Sequence, residues 1–237
     1  MTTRRRGGSV VLLSGGMDSA TCLALAARDR PPVHALTFAY GQRHARELRS
    51  AAGLARRYAV AEHHVVDLPL APLVRSSLTR PSARLPSRPR KDGGIPSTYV
   101  PARNSILLAV ALGYAESHAL DRIYFGANAV DYSGYPDCRP EFVRAFNALA
   151  LRAVRSPSEG GRRIRVLAPL LHRSKSEIVR RGERLGVPWK LTWSCYAGGR
   201  RPCGRCDACR LRARGFRGAG VPDPLAPPGG RSRRRPR

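Results

Sequence analysis

Along the 237-residue chain, apolar and polar positions follow two alternating rhythms. Short apolar runs at Ser9 to Leu13, Val33 to Phe38, His63 to Asp67, Arg122 to Gly126 and Ile164 to Leu167 read as strands. Between them lie longer stretches with helical character: Met17 to Arg28, Arg43 to Tyr58, Val100 to His118, Pro140 to Arg155 and Ser174 to Leu185. Ser174 with Glu177 three residues on is a capping-box signal at the head of the last of these. The alternation predicts an α/β fold, a doubly wound, mostly parallel five-stranded sheet with helices on both faces. In such sheets ligands bind beyond the carboxyl ends of the strands.

The rhythm also sets the expected boundaries. A basic N-terminal tail covers 1–8, the α/β domain 9–190, a cysteine-rich segment 191–221, and a Pro/Gly/Arg-rich tail without assigned structure 222–237. Within the domain, 70–97 is rich in Pro, Ser and Arg and too long for an ordinary connection. It reads as a disordered insert or as a lid over a site.

The formal net charge of +27 invites a nucleic-acid reading. Only three of the 43 basic residues are lysines, however, and the arginines are spread along the whole chain. Without the arginines of the two tails, +19 remains. Nonspecific affinity for polyanions follows from this, but a dedicated nucleic-acid site does not. No apolar run reaches membrane-spanning length, and the basic N-terminus leads into the first strand rather than into a cleavable leader. The expectation is a soluble, cytoplasmic protein without a membrane partner.

Chemistry begins at Ser14-Gly15-Gly16-Met17-Asp18-Ser19, directly after Val10-Val11-Leu12-Leu13 and before an Ala/Leu-rich helix. Glycines let the backbone approach an anion, and the first N–H groups of a helix favour one. The segment is not a Walker loop, because no Gly-Lys-Ser/Thr follows, and it lacks the third glycine of a dinucleotide fingerprint. The alternative is a plain Gly-Gly turn with Asp18 or Ser19 capping the helix. The strand before it and the helix after it favour phosphate.

Cys195, Cys203, Cys206 and Cys209 form a second constellation, C-x7-C-x2-C-x2-C. Four thiolates with Gly204 between close ligands suit a closed, tetrahedral, structural zinc site, its negative charge offset by Arg200, Arg201, Arg205 and Arg210. Iron–sulfur ligation uses similar spacing, but the Cys-Pro that usually follows is absent. Cys22 reads as a buried helix residue, and Cys138 sits inside a polar motif.

Three further stretches follow strands or open a helix on the same rim: Tyr40-Gly41-Gln42-Arg43-His44, Thr98 to Asn104 (STYVPARN with Ser97), and Asn128 to Cys138. Each has a plain structural alternative: surface charge for Arg43, helix capping for Asn104, a turn at Ser133-Gly134. Together with the phosphate loop they point to one shared site. With SGGMDSATC, DYSGYPDCRPEF, APLLHRSKSEIV, and TWSCY followed by CGRCDAC, these segments resemble the 7-cyano-7-deazaguanine synthases, a branch of the pyrophosphate-loop ATP-using enzymes. The resemblance spans Val10 to Asp223; extra arginines at both ends and across 70–96 are its departures.

The resemblance implies an adenine-nucleotide-hydrolase-like fold, one structural zinc on the four cysteines, and a homodimer. It also implies a reaction in which 7-carboxy-7-deazaguanine, ammonia and ATP give the nitrile, a queuosine precursor. A carboxylate is a poor electrophile, so ATP must first activate it; ammonia then gives an amide, and a second activation leaves the nitrile. On this reading Leu13, Ser14, Gly15, Gly16, Met17, Asp18, Ser19, Ala20, Thr21 and Cys22 cradle ATP, with Asp18 holding Mg²⁺ or fixing the loop. Lys175 contacts the phosphates. Arg103, Asn104, Asn128, Asp131, Tyr132 and Asp137 contact the substrate, with Asp131 or Asp137 reading the edge of a guanine-like ring. Catalysis is expected of Lys175, Asp131 and Arg103. Two other readings compete: a pyrophosphate-loop enzyme that modifies tRNA by thiolation or lysine addition, and a non-enzymatic zinc-ribbon protein that binds DNA. The absence of a separate RNA-binding domain argues against the first, and the phosphate loop against the second.

Overall fold

The computed structural model describes residues 7–42, 46–80, 83, 94–130 and 135–226. Five strands, β1 (Ser9–Leu12), β2 (Val33–Ala39), β3 (Glu62–Asp67), β4 (Arg122–Tyr124) and β5 (Arg165–Leu167), form one sheet in the order β3-β2-β1-β4-β5. Every pairing is parallel; Ser9 at the start of β1 stands opposite Val33 on one side and Arg122 on the other. The chain leaves β1 toward β2 and later returns on its other side to β4, so a crevice opens between the carboxyl ends of β1 and β4.

Successive side chains of a strand point to opposite faces, and β1 shows the consequence. Val10 and Leu12 pack with Leu108, Leu112 and Phe146, from α3 (Arg103–Ser117) and α4 (Pro140–Ala153). Val11 and Leu13 face the other way, onto Leu23, Leu54 and Ile178 of α1 (Met17–Asp29), α2 (Arg46–Arg57) and α5 (Lys175–Arg184). A strand covered on both faces must be apolar throughout, which is why β1 reads as an unbroken run.

α5 carries the expected capping box: the Glu177 N–H donates to Ser174 Oγ, and the Ser174 N–H donates to Glu177 Oε2. Bonds donated to the Glu177 carboxylate by the Ser174 N–H, the Ser174 hydroxyl and Arg173 hold it down at about 2. The helix expected from Val100 starts only at Arg103, because Ala102 adopts a left-handed backbone (φ 52°). A sixth helix, α6 (Asp207–Ala219), was not expected; its buried face, Ala208, Cys209, Arg212, Gly215 and Phe216, recurs at helical spacing but holds few large apolar side chains and includes an arginine and a glycine. It lies close against α5 through Gly215, where a Cβ would come within 2.9 Å of the Lys175 Cβ.

Two boundaries need correction. Segment 70–97 is built into the fold at its ends: Leu70 and Leu78 are core residues, and the Ser77 N–H donates to the Ser97 carbonyl. The tail expected to lack structure from 222 is held through Asp223, whose carboxylate accepts two bonds from the buried Arg212 at 2.8 and 2.9 Å.

Candidate active site and metal centre

The phosphate loop sits where β1 ends. Gly15 takes φ +81°, and a Cβ there would lie 2.5 Å from the carbonyl oxygen of Glu47, so only glycine lets the loop pass under the first turn of α2. No side chain caps the N-terminus of α1: Gly16 is its N-cap, and the Ser14 and Ser19 hydroxyls instead face each other at 3.1 Å. The capping role expected of Asp18 or Ser19 as the plain alternative is therefore overturned. Asp18 turns across the crevice to Lys175 at the head of α5, with Nζ donating to Oδ2 at 2.7 Å. Asp18 Oδ1 is buried and has no hydrogen-bond partner among the described residues.

A cavity of about 250 Å³ opens from this loop. Leu13, Ser14, Gly16, Met17, Asp18 and Ser19 form one wall, with Lys175 beside them. Ala20, Thr21 and Cys22 are not on that wall; they are buried in the core behind it, so their expected contact with ATP is corrected to support of the helix. Burial pushes the Cys22 thiol well above its ordinary range, and the Cys138 thiol up to about 11, so neither is a ready nucleophile.

Arg103 and Tyr40 also line the cavity. Arg103 lies over the Tyr40 ring at 5.5 Å and donates to its hydroxyl at 3.3 Å. Burial works against its charge, but Tyr40, Tyr135, Asp137 and Cys138 hold its pKa above the usual guanidinium value. Asn104 also faces the cavity, yet its amide donates to the Asp137 carbonyl and to Cys138 Sγ. Asp137 is buried behind it, and its Oδ2 accepts the Asn104 backbone N–H at 3.1 Å. That carboxylate stands at the N-terminus of α3, where the dipole favours a negative charge and no local side chain caps. Asn128 donates to the carbonyls of Leu170 and Arg173 and ties β4 to the loop before α5. Asn104 and Asn128 thus line the cavity while making these bonds, and Asp137 lies behind them, off the cavity lining. Asp131 and Tyr132 lie outside the described residues, as do Arg43 and His44.

Glu47 was missed. It lies in the first turn of α2 and lines the cavity, its carboxyl pushed up to about 7 by burial, with Arg103 pulling it back and Cys195 adding to the rise. A glutamate in an arginine-rich helix reads as surface, and nothing local in the sequence marks it otherwise.

The four cysteine sulfurs lie within 4.8 Å of one another, and Cys203 and Cys209 are 3.9 Å apart. Tetrahedral zinc with bonds near 2.3 Å separates its sulfurs by about 3.8 Å, so the donor set fits such an ion. Gly204 (φ +69°) turns the chain between Cys203 and Cys206, and the backbone N–H groups of Ala197 and Cys203 donate to Cys195 Sγ. Arg200, Arg201, Arg205 and Arg210 are all exposed around the cluster. The knot also reaches the phosphate loop: the Trp193 N–H donates to the Gly15 carbonyl at 2.8 Å, and Arg46 lies 4.5 Å over the Trp193 ring.

A glycine-containing loop at the switch point of a doubly wound parallel sheet, tied to four cysteines that could hold a metal, defines an α/β protein with a candidate anion site and a candidate metal centre. The chain belongs to the queuosine biosynthesis protein QueC family, whose model matches residues 8–220. It is 55% identical over 219 residues to the 7-cyano-7-deazaguanine synthase of Xanthomonas campestris pv. campestris (strain B100), covering 91% of this chain and 96% of that one. It is 48% identical over 220 residues to the protein of the same name from Nostoc punctiforme, covering 92% and 98%. Among solved structures it is similar to the NMN synthetase from Francisella tularensis, with TM-score 0.48 and 15% identity over 94% of this chain and 90% of that one. Its named relatives are synthases, and the chain is an enzyme of this family. Among the described residues no helix is long and apolar enough to cross a membrane.

Proposed function

We propose that this enzyme converts 7-carboxy-7-deazaguanine and ammonia to 7-cyano-7-deazaguanine at the expense of ATP. The observation that carries the reading is the uncapped start of α1 beside the Ser14–Ser19 hydroxyl pair, opening into a cavity that also holds Lys175 and Arg103. In the proposed site the N–H groups and hydroxyls of 14–19 take the phosphates, with Lys175 at their side. Arg103, kept charged and held over Tyr40, takes the substrate carboxylate or the oxygen that leaves it. Asp18, whose buried Oδ1 has no hydrogen-bond partner among the described residues, is the carboxylate that would hold a magnesium ion accompanying ATP. Asp131 and Tyr132 are further candidates for substrate contact. A zinc ion on the four cysteines is structural, because all four donors close on one point and the knot leaves no water position. A cytoplasmic homodimer completes the reading.

The test is mass spectrometry of the product after mixing enzyme, ATP, an ammonium salt and the 7-carboxylic acid. A product with the mass of the nitrile, formed only with ATP, is the expected result. Unchanged acid under conditions where the enzyme binds ATP refutes the reading.

A further inference from the structure

The proposed reactants carry opposite charges. ATP and the carboxylic acid are anions, whereas ammonia at neutral pH is almost entirely the ammonium cation. The described cavity wall has two carboxylates to meet a cation, Asp18 and Glu47. Asp18 already holds Lys175 at 2.7 Å. Glu47 makes no hydrogen bond or ion pair with another described residue through its side chain, and its backbone is pressed against Gly15 of the phosphate loop. A carboxylate without a side-chain partner among the described residues, on the wall of this cavity, is an uncommon feature of a chain with a net charge of +27.

We propose that Glu47 is the residue that docks ammonium in the cavity and accepts its proton, releasing ammonia against the activated carboxyl carbon. This inference rests on the reaction proposed above. In the step, one N–H bond of ammonium breaks and its proton goes to Glu47, leaving neutral ammonia with a free electron pair. That pair forms the new C–N bond, the activating group leaves with one carboxyl oxygen, and the nitrogen gives a further proton to water to form the amide. Three groups from other elements act on Glu47: Arg103 from α3, Tyr40 from the turn after β2, and Cys195 from the cysteine knot. Glu47 lines the same cavity as Ser14, Ser19 and Arg103, the position that a proton acceptor for the incoming nitrogen needs.

The experiment compares Glu47→Gln with the zinc-loaded wild type for two nucleophiles, ammonium and hydroxylamine. Hydroxylamine is neutral at pH 7.5, so it needs neither an anionic dock nor deprotonation before attack, and it traps the activated acid as a hydroxamate. The variant is expected to lose about a hundredfold in ammonium-dependent product while hydroxamate formation stays within about threefold. Calorimetric ATP binding checks that the cavity is intact. Equal loss with both nucleophiles, loss of ATP binding, or an unchanged dependence on ammonium overturns the role of Glu47. A wild type that yields neither product overturns instead the reaction on which the inference rests.

Discussion

The ion pair between Lys175 and Asp18 joins residues 157 positions apart and closes the crevice at the phosphate loop. Lys175 is 6% exposed and the Asp18 side chain 20%. In Lys175→Met the stem of the lysine is replaced and its charge removed. Asp18 then keeps a buried carboxylate with Oδ2 robbed of its donor and Oδ1 already unpartnered. Removing one member of a buried pair costs about 3–5 kcal/mol, and the residual exposure of Asp18 places this case near the lower figure. About 3 kcal/mol in a domain of this size lowers the melting temperature by about 6–12 °C. The double variant Asp18→Asn, Lys175→Met removes both charges and is expected to recover at least about half of that loss, because Asp18 no longer keeps an uncompensated charge. Calorimetric melting of the single and double variants with zinc present measures both numbers. A drop below about 1 kcal/mol in the single variant, or a double variant no more stable than the single, refutes the reading of this contact as a buried, mutually dependent pair. ATP binding is a separate readout: a lost charge-assisted bond to phosphate weakens it by about tenfold or more in both variants that lack the lysine.

Zinc chelation is expected to weaken ATP binding by about fivefold to tenfold in protein that remains folded, because the Trp193 N–H no longer holds the Gly15 carbonyl in place. Zinc add-back restores it, and unchanged affinity after chelation rules the coupling out. Arg212, 4% exposed, is bound to Asp223, Thr192 and the Trp189 carbonyl, so Arg212→Met should cost about 3–5 kcal/mol in denaturant unfolding. A loss under about 1 kcal/mol would show that the C-terminal strap is not held by this residue. Glu47 sets a pH dependence of stability. Its folded pKa of about 7 lies above its ordinary 4.5, so between these values the native state keeps a proton that the unfolded chain has released. Stability therefore falls as pH rises through that window, by at most about 3 kcal/mol, and Glu47→Gln flattens the slope. An identical slope in the variant contradicts the burial of this carboxyl.

What the sequence determined by itself is local. The apolar run of β1, the two glycines and the Ala/Leu-rich helix placed the phosphate loop, because a strand buried on both faces and a helix start each leave a periodic or positional mark. Ser174 and Glu177 marked the head of α5 for the same reason, and the spacing of the four cysteines implied a knot whose sulfurs do converge. The tertiary structure decided the partners of the polar groups. Asp137 and Asn128, legible only as candidates for substrate, are engaged in capping α3 and tying β4 to α5. Lys175 meets Asp18, Trp193 meets Gly15, and Glu47 enters the cavity, each across a long stretch of chain. α6 finds its place through a buried face that combines Phe216 in the core with a close approach to α5 at Gly215, a contact that no single segment of sequence announces. Periodicity states which face of an element is buried. It does not state which element will lie opposite, and a polar side chain takes its role from whatever group the sheet order brings within hydrogen-bond reach in a poorly hydrated interior.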